Sequence, residues 1–296
     1  MLQKDIRRHY SRADVRAEIA RFSAGRWAAA HCVGDRGPEM VRYTRSKRPL
    51  CIGSPEDVWM LYNMLETMGV RSFYASIHRY RWTGDRPVQV IASMPSWDVD
   101  LVTGRWEGAV ETVEKIVSLL ERYGVVRSVI VKWSGGGMHV HVNDWSFTES
   151  LFSKYEPLDV AYAVTEYILR RLGETAWEVR VENKVDPARV FTSPLSLHRE
   201  LDMVCICLDP NRLYDFSPEW AQPFEYKHFT GWDAYEVGEA DELALRALDT
   251  IGPYTRRPAR RRVHPPLDEV IRRLQSRLGE GDMPQDRTSG SSLGYR

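Results

Sequence analysis

Asp98 and Asp100 alternate with Trp97, Val99 and Leu101. Residues two apart on a strand share a face, so this spacing predicts one apolar face and one doubly acidic face. Two adjacent carboxylates repel each other unless a cation lies between them, which makes the pair a candidate ligand set for a divalent metal. A solvated strand face can carry the same spacing, and the pair gains meaning from the segment Lys132-Trp133-Ser134-Gly135-Gly136-Gly137-Met138-His139-Val140-His141-Val142. An apolar run before the glycines and an alternating run after them read as two strands joined by a loop without side-chain bulk. Glycine tolerates positive φ and leaves amide N–H groups uncovered, so phosphate oxygens can reach Gly135 and Gly136. Ser134 at one end and His139 at the other add a hydroxyl and an imidazole to the same small volume, as a nucleoside triphosphate requires. A tight hairpin with a capping serine and a core histidine is the plainer account, but such a turn needs fewer glycines. A metal beside a phosphate cradle points to nucleotidyl transfer.

A third stretch runs Lys184-Val185-Asp186-Pro187-Ala188-Arg189 and continues to Pro194-Leu195-Ser196-Leu197-His198. Asp186 could add a metal ligand, and Arg189 and His198 could bind phosphate. Asp-Pro is equally a common turn, and Glu182, four residues earlier, is the other carboxylate available for that position. His139-Val140-His141 also spells the His-hydrophobe-His metal pair of rolling-circle nicking endonucleases. Those enzymes need a tyrosine nucleophile, for which Tyr162 and Tyr167 are placed on a predicted helix. That chemistry has no use for the aspartate pair or the glycines.

At 296 residues the chain can bury a sizeable core, as one large domain or two intimate ones. Hydrophobic content of 43% and charged content of 28% are ordinary for a soluble protein. Lys+Arg 41 balance Asp+Glu 41, so a nucleic-acid partner would have to meet locally concentrated basic residues. Most of them are arginine, which suits bidentate phosphate contacts and also suits a GC-rich genome. Cys32, Cys51, Cys205 and Cys207 form no C-x2-C pair. No zinc site is expected, and the lack of a disulfide framework fits a reducing cytoplasm. With a charged N-terminus and no run near the length of a span, neither a signal peptide nor a membrane contact is expected.

The elements that must position these residues follow from periodicity and punctuation. Residues 6–22 have helical spacing, with Ser11 as a candidate cap. Short strands are predicted at 26–32 and 40–44. Ser54-Pro55-Glu56-Asp57 starts a helix that runs to about Met68 and stops at Gly69. Strands are predicted at 72–77, 88–94, 97–101, 125–133, 138–142, 177–181, 190–191 and 203–208, and helices at 107–123, 157–172 and from the acidic stretch after Tyr235 to about Leu248. Several strand pairs are joined too tightly for parallel crossovers, which predicts an α+β fold with mixed or antiparallel sheets and packed helices. Residues 1–255 are expected to form the main domain. Residues 256–278 read as a basic linker and a short amphipathic helix, and 279–296 as a disordered tail.

Taken in order, the three motifs resemble those of the small catalytic subunit of archaeal and eukaryotic DNA primase, within the archaeo-eukaryotic primase-polymerase superfamily. That family's Asp-x-Asp pair matches Asp98 and Asp100, its Ser-Gly-rich stretch ending in His matches Ser134 to His139, and its last motif matches Asp186 with Arg189 to His198. His9-Tyr10-Ser11-Arg12 resembles its N-terminal segment, and Met40 to Tyr43 and Tyr74 to Tyr80 resemble the stretches before its first motif. The chain departs in carrying Gly136 and Gly137 where archaeal members usually have basic residues, in a shorter spacer before Arg189, and in Thr192 where a second arginine is usual. The resemblance implies a primase-polymerase fold and primer synthesis on a single-stranded DNA template from nucleoside triphosphates. It implies two Mg²⁺ or Mn²⁺ ions held by Asp98, Asp100 and Asp186, with Ser134, Gly135, Gly136, His139, Arg189 and His198 on the nucleotide. It also implies a primase large subunit as heterodimer partner. A repair polymerase of the end-joining type, the nicking endonuclease and a non-catalytic DNA-binding subunit are the alternatives.

Overall fold

The computed structural model describes residues 1–34, 37–175 and 177–255. Its first two helices are α1 (Gln3–Ser11) and α2 (Ala13–Ser23), where spacing alone predicted a single helix. The break falls at Arg12, whose backbone is extended (φ −70°, ψ 135°). It lets Ile6, His9 and Tyr10 of α1 and Val15, Ile19 and Phe22 of α2 all bury. Ser11 ends α1, donating to the Arg8 carbonyl, and caps nothing. After β1 (Arg26–Gly34) and β2 (Gly37–Val41) comes α3 (Pro55–Leu65). Its start is built as the residues demand: Ser54 Oγ accepts the Asp57 amide, the Asp57 carboxylate accepts the Ser54 amide, and Pro55 opens the first turn. β3 (Val70–Thr83) outruns its predicted length because β1 pairs with its first part while β4 (Arg86–Ser93) pairs with its end. The first sheet has the order β2-β1-β3-β4.

The rest of the chain builds the second sheet and its cover: β5 (Ser96–Leu101), α4 (Glu107–Arg122), β6 (Val129–Trp133), β7 (Gly137–Val142), α5 (Glu149–Phe152), α6 (Pro157–Leu169), β8 (Val179–Asn183), β9 (Val190–Thr192), β10 (Ile206–Leu208) and α7 (Asp241–Ile251). The sheet order is β10-β6-β7-β5-β8, antiparallel throughout, while β9 crosses over to pair with β3 of the first sheet. Alternation along β5 sorts its residues as expected. Trp97 and Val99 are fully buried, and the Trp97 indole donates to the Thr165 carbonyl of α6 at 3.0 Å. α4 presents Val110, Val113, Ile116, Val117 and Leu120 to the same core. The acids therefore face the other way.

Two strand boundaries differ from expectation for identifiable reasons. β6 begins at Val129 because the amides of Val126, Arg127 and Ser128 are taken by the Glu239 carboxylate, so they cannot join a ladder. β8 is shifted toward the C-terminus of its predicted range, since its partner is β5, with Leu101 opposite Val179 and Trp97 opposite Asn183. Residues Met1–Tyr254 form one compact unit; the expected basic linker, short helix and tail at 256–296 lie outside the described residues. Among the described residues no helix is long and apolar enough to cross a membrane.

Candidate active site

Register decides what Asp98 and Asp100 meet. On β7, Asp98 is opposite His139 and Asp100 opposite Gly137; on β8, Asp98 is opposite Glu182 and Asp100 opposite Arg180. Partners directly opposite share a face, so Asp98, Asp100 and Glu182 stand together. A lysine sits among them. Lys184 Nζ lies 2.9 Å from Glu182 Oε2, 3.1 Å from Asp98 Oδ2 and 3.4 Å from Asp100 Oδ2. Arg180 reaches Asp100 at 3.4 Å and Glu182 at 3.6 Å from the rim. Burial alone would raise the Asp98 carboxyl, but His139 and Lys184 outweigh it and hold the group well below the usual carboxylate range. An ionised Asp98 only accepts hydrogen bonds, so His139 Nε2, 3.3 Å away, carries the proton and donates it. Burial keeps the His139 ring neutral.

The donor chemistry fits a hard divalent ion. Three carboxylates on one sheet face make an all-oxygen set of the kind Mg²⁺ and Mn²⁺ prefer, and the cluster already gathers around one cationic group. As placed, no three His, Cys, Asp or Glu side chains among the described residues stand close enough together to hold a metal. The trio is spread around an ammonium, whose contacts of 2.9–3.4 Å exceed a metal–oxygen bond of about 2.1 Å. Asp186 is elsewhere. Its carboxylate takes the Ala188 amide at 2.8 Å and Arg189 Nη2 at 2.6 Å, and its carbonyl is bonded by His78 Nε2 at 2.9 Å. It heads the turn that carries Arg189. Neither Asp186 nor Glu182 lines the cleft that Asp98 and Asp100 line; what sets Glu182 apart is its place opposite Asp98 and its contact with Lys184.

That cleft, about 580 Å³ in volume, is walled by Asp98, Asp100, Ser134, Gly136, His139, Arg189 and His198, with Tyr74 of β3 on its far side. The volume is in the range that holds one small ligand. The glycines there do separate jobs. A Cβ on Gly137 would meet the Val99 carbonyl oxygen at 2.4 Å, so this glycine is what lets β7 close against the acidic strand. Gly135 has φ +107°, and a Cβ there would press on the His198 ring at 3.1 Å. Ser134 Oγ donates to the Gly137 carbonyl at 3.1 Å and closes the loop.

His198 arrives on the 194–198 loop, which is pinned from three sides. Tyr10 Oη donates to the Arg71 carbonyl at 2.6 Å and accepts the Leu197 amide at 3.1 Å. Ser196 Oγ accepts the Phe73 amide at 2.7 Å. His9 Nε2 bonds the Leu195 carbonyl at 2.8 Å. Leu195 is held at φ +58°, an unfavourable conformation for a residue with a Cβ, and these bonds are what hold it there. His198 Nδ1 accepts the amides of Glu200 and Leu201 at 3.1 and 2.9 Å. The proton of the neutral ring is therefore on Nε2, beside Gly136. Burial pushes this imidazole down to about 4, so it stays an uncharged donor at neutral pH.

The structure gives the nicking arrangement no support. His141 is fully buried, its Nδ1 bonded to Ser96 Oγ at 2.7 Å. Tyr167 is buried against Tyr123, and its helix α6 packs on the Trp97 face of the sheet, opposite the acids. Spacing alone passed over Lys184, Arg180 and Tyr74; alternation from Glu182 through Arg180 was the available signal for the first two. Lys132, beneath His139, is fully buried. Its ammonium donates to the Thr192 carbonyl at 2.9 Å and lies over Phe22, tying the second sheet to β9.

Neither the protein-family models nor the curated protein sequences contain a match to this chain. Among solved structures, the polymerase domain of Ligase D from Mycobacterium tuberculosis, determined in complex with DNA, is similar with a TM-score of 0.54 at 15% identity, covering 85% of this chain and 90% of that chain. The AEP domain of the cyanophage S-2L primase-polymerase aligns at 14% identity over 72% of this chain and 97% of that chain, with a TM-score of 0.30. The first likeness shows the fold: antiparallel sheets with packed helices, arranged as in that polymerase domain.

Proposed function

We propose that this chain is a nucleotidyltransferase of the primase-polymerase type, joining nucleoside triphosphates on a single-stranded DNA template. The observation that carries the reading is the convergence of Asp98, Asp100 and Glu182 on one cationic group, Lys184, which with Asp98, Asp100, Ser134, Gly136, Arg189 and His198 lines one cleft. Asp98, Asp100 and Glu182 would hold the divalent ions, with Glu182 taking the third position and Asp186 orienting Arg189. When bound, Mg²⁺ or Mn²⁺ supplies Lewis acidity for displacement at phosphorus and countercharge for the pyrophosphate that leaves. His139 orients Asp98 by donating to it. His198 offers a neutral Nε2–H to a phosphate oxygen, and Arg189 offers its guanidinium. Gly135 and Gly136 leave the loop backbone open to the triphosphate.

De novo primer synthesis is the primary reading. Extension of a pre-existing DNA end is the second, favoured by the fold shared with a ligase-associated polymerase domain whose structure contains DNA. Incubation with unprimed single-stranded DNA, Mn²⁺ and labelled nucleotides should give short products. Products only on primed or gapped DNA would select the second reading, and none on either substrate would sink both. A primase large subunit as partner rests on the motif resemblance alone, and co-purification from the native cell tests it.

A further inference from the structure

Lys184 has no part in the proposed chemistry, yet it holds the most connected position in the cleft. Its ammonium contacts Glu182, Asp98 and Asp100 at 2.9, 3.1 and 3.4 Å. Its side chain remains 23% exposed. Its backbone is fixed separately: the Lys184 carbonyl accepts Arg189 Nε at 2.7 Å. The four-carbon stem can therefore leave the carboxylates without moving the arginine behind it. Resting on the reading of these carboxylates as metal ligands, we propose that Lys184 is a resident counter-cation that competes with the divalent ion for all three and sets the ion concentration at which the site fills.

Without any cation, three carboxylates on one sheet face repel one another. Lysine suits a reversible placeholder, since it brings a compact point charge on a flexible stem and no fork geometry that must be broken at two points. Arg180 touches two of the same carboxylates at 3.4 and 3.6 Å but lies at the rim, 62% exposed. With both basic residues seated, the cluster keeps one excess negative charge. Exchange of the ammonium for a divalent ion, Arg180 remaining, leaves it neutral. Keeping all three cations would set like charges side by side in a partly buried cleft. Ion entry and lysine departure are thus one exchange, and the apparent affinity for the ion falls in proportion to the time the lysine is seated.

The test is Mn²⁺ binding to the full chain, read from the electron paramagnetic resonance of the free ion without DNA or nucleotide. If the ammonium is seated about nine-tenths of the time, Lys184→Gln should bind Mn²⁺ about tenfold more tightly than wild type. Lys184→Arg, which keeps the charge and adds a fork to be broken at two points, should bind Mn²⁺ no more tightly than wild type. Metal-free Lys184→Gln should also melt below wild type, with the gap closing at saturating Mn²⁺. Unchanged or weaker binding by Lys184→Gln overturns the proposal. Asp98→Asn separates the two ideas. If it loses Mn²⁺ while Lys184→Gln matches wild type, only the counter-cation fails. If Asp98→Asn binds like wild type, the carboxylate reading itself fails. A measurement without substitution is amine acetylation of the wild-type chain followed by peptide mass spectrometry. Lys184 should label faster with Mg²⁺ than without it, and equal labelling rejects the exchange.

Discussion

The acidic face of the second sheet and the 194–198 loop reach the same cleft by opposite means. On the sheet, strand register brings Asp98, Asp100 and Glu182 together, and the charges then sort out their own counter-ions. The loop pairs only with residues 203–205, through a short antiparallel bridge with Leu197 opposite Val204. It is tied to Tyr10, His9 and Phe73, groups far from it in sequence, the last through its own Ser196, and it keeps Leu195 at positive φ. Chemistry on the sheet should therefore be sensitive to the acids and tolerant in stability. Binding at the loop should depend on buried hydrogen bonds that never touch a ligand.

The largest effect expected is on the sheet. Asp98→Asn and Glu182→Gln should each cut nucleotide incorporation by about 10³-fold, near 4 kcal/mol of transition-state stabilisation, with little change in melting temperature. Near wild-type turnover in Glu182→Gln would remove this residue from the site. Next is the contact that joins the glycine loop to the acids. Gly137→Ala drives a methyl against the Val99 carbonyl oxygen and should destabilise the fold by about 2–3 kcal/mol in urea unfolding. A neutral result would mean that β7 can back away from β5.

The loop side has a pH signature. His9 is fully buried, and burial lowers its imidazole from 6.5 to about 4. A depressed histidine is neutral in the folded chain and takes up its proton more readily unfolded. Its contribution is therefore complete above pH 6.5 and is lost as pH falls from there toward 4. Between pH 7 and 5 this amounts to about 2 kcal/mol. His9→Gln, which can still donate to the Leu195 carbonyl, should flatten the stability curve over that interval by this amount; an unaltered slope would show that His9 does not titrate there. Tyr10→Phe leaves the Leu197 amide without its acceptor. It should cost about 1–2 kcal/mol and raise the nucleotide KM more than it lowers kcat. The smallest effect is at the turn between the two regions. Asp186→Asn should change KM only a few-fold, below about 1 kcal/mol, whereas loss of Mn²⁺ binding would return the third carboxylate to Asp186.

Much of the fold was legible because its signals are local. Ser54 and Pro55 start α3, the apolar stripe from Val110 to Leu120 makes α4, and the Trp97-Val99 alternation puts the acids outward. The errors came where a distant group takes over a backbone. Glu239 captures the amides at 126–128, and pairing with β5 moves β8 far enough to bring Glu182 into the strand. That second shift sets Glu182 opposite Asp98, the pairing on which the proposal of Glu182 as third carboxylate rests. Asp-Pro beside an arginine looked like a ligand position, and only the register with Asp98 distinguishes Glu182 from it. Residue types and their order determined the class of fold and the shared face of Asp98 and Asp100, since strand alternation and helix capping act over a few residues. Which carboxylate lies beside them, which cation stands among them, and how His198 is protonated were decided by the tertiary structure, because each depends on groups that meet only when separate strands and loops pack.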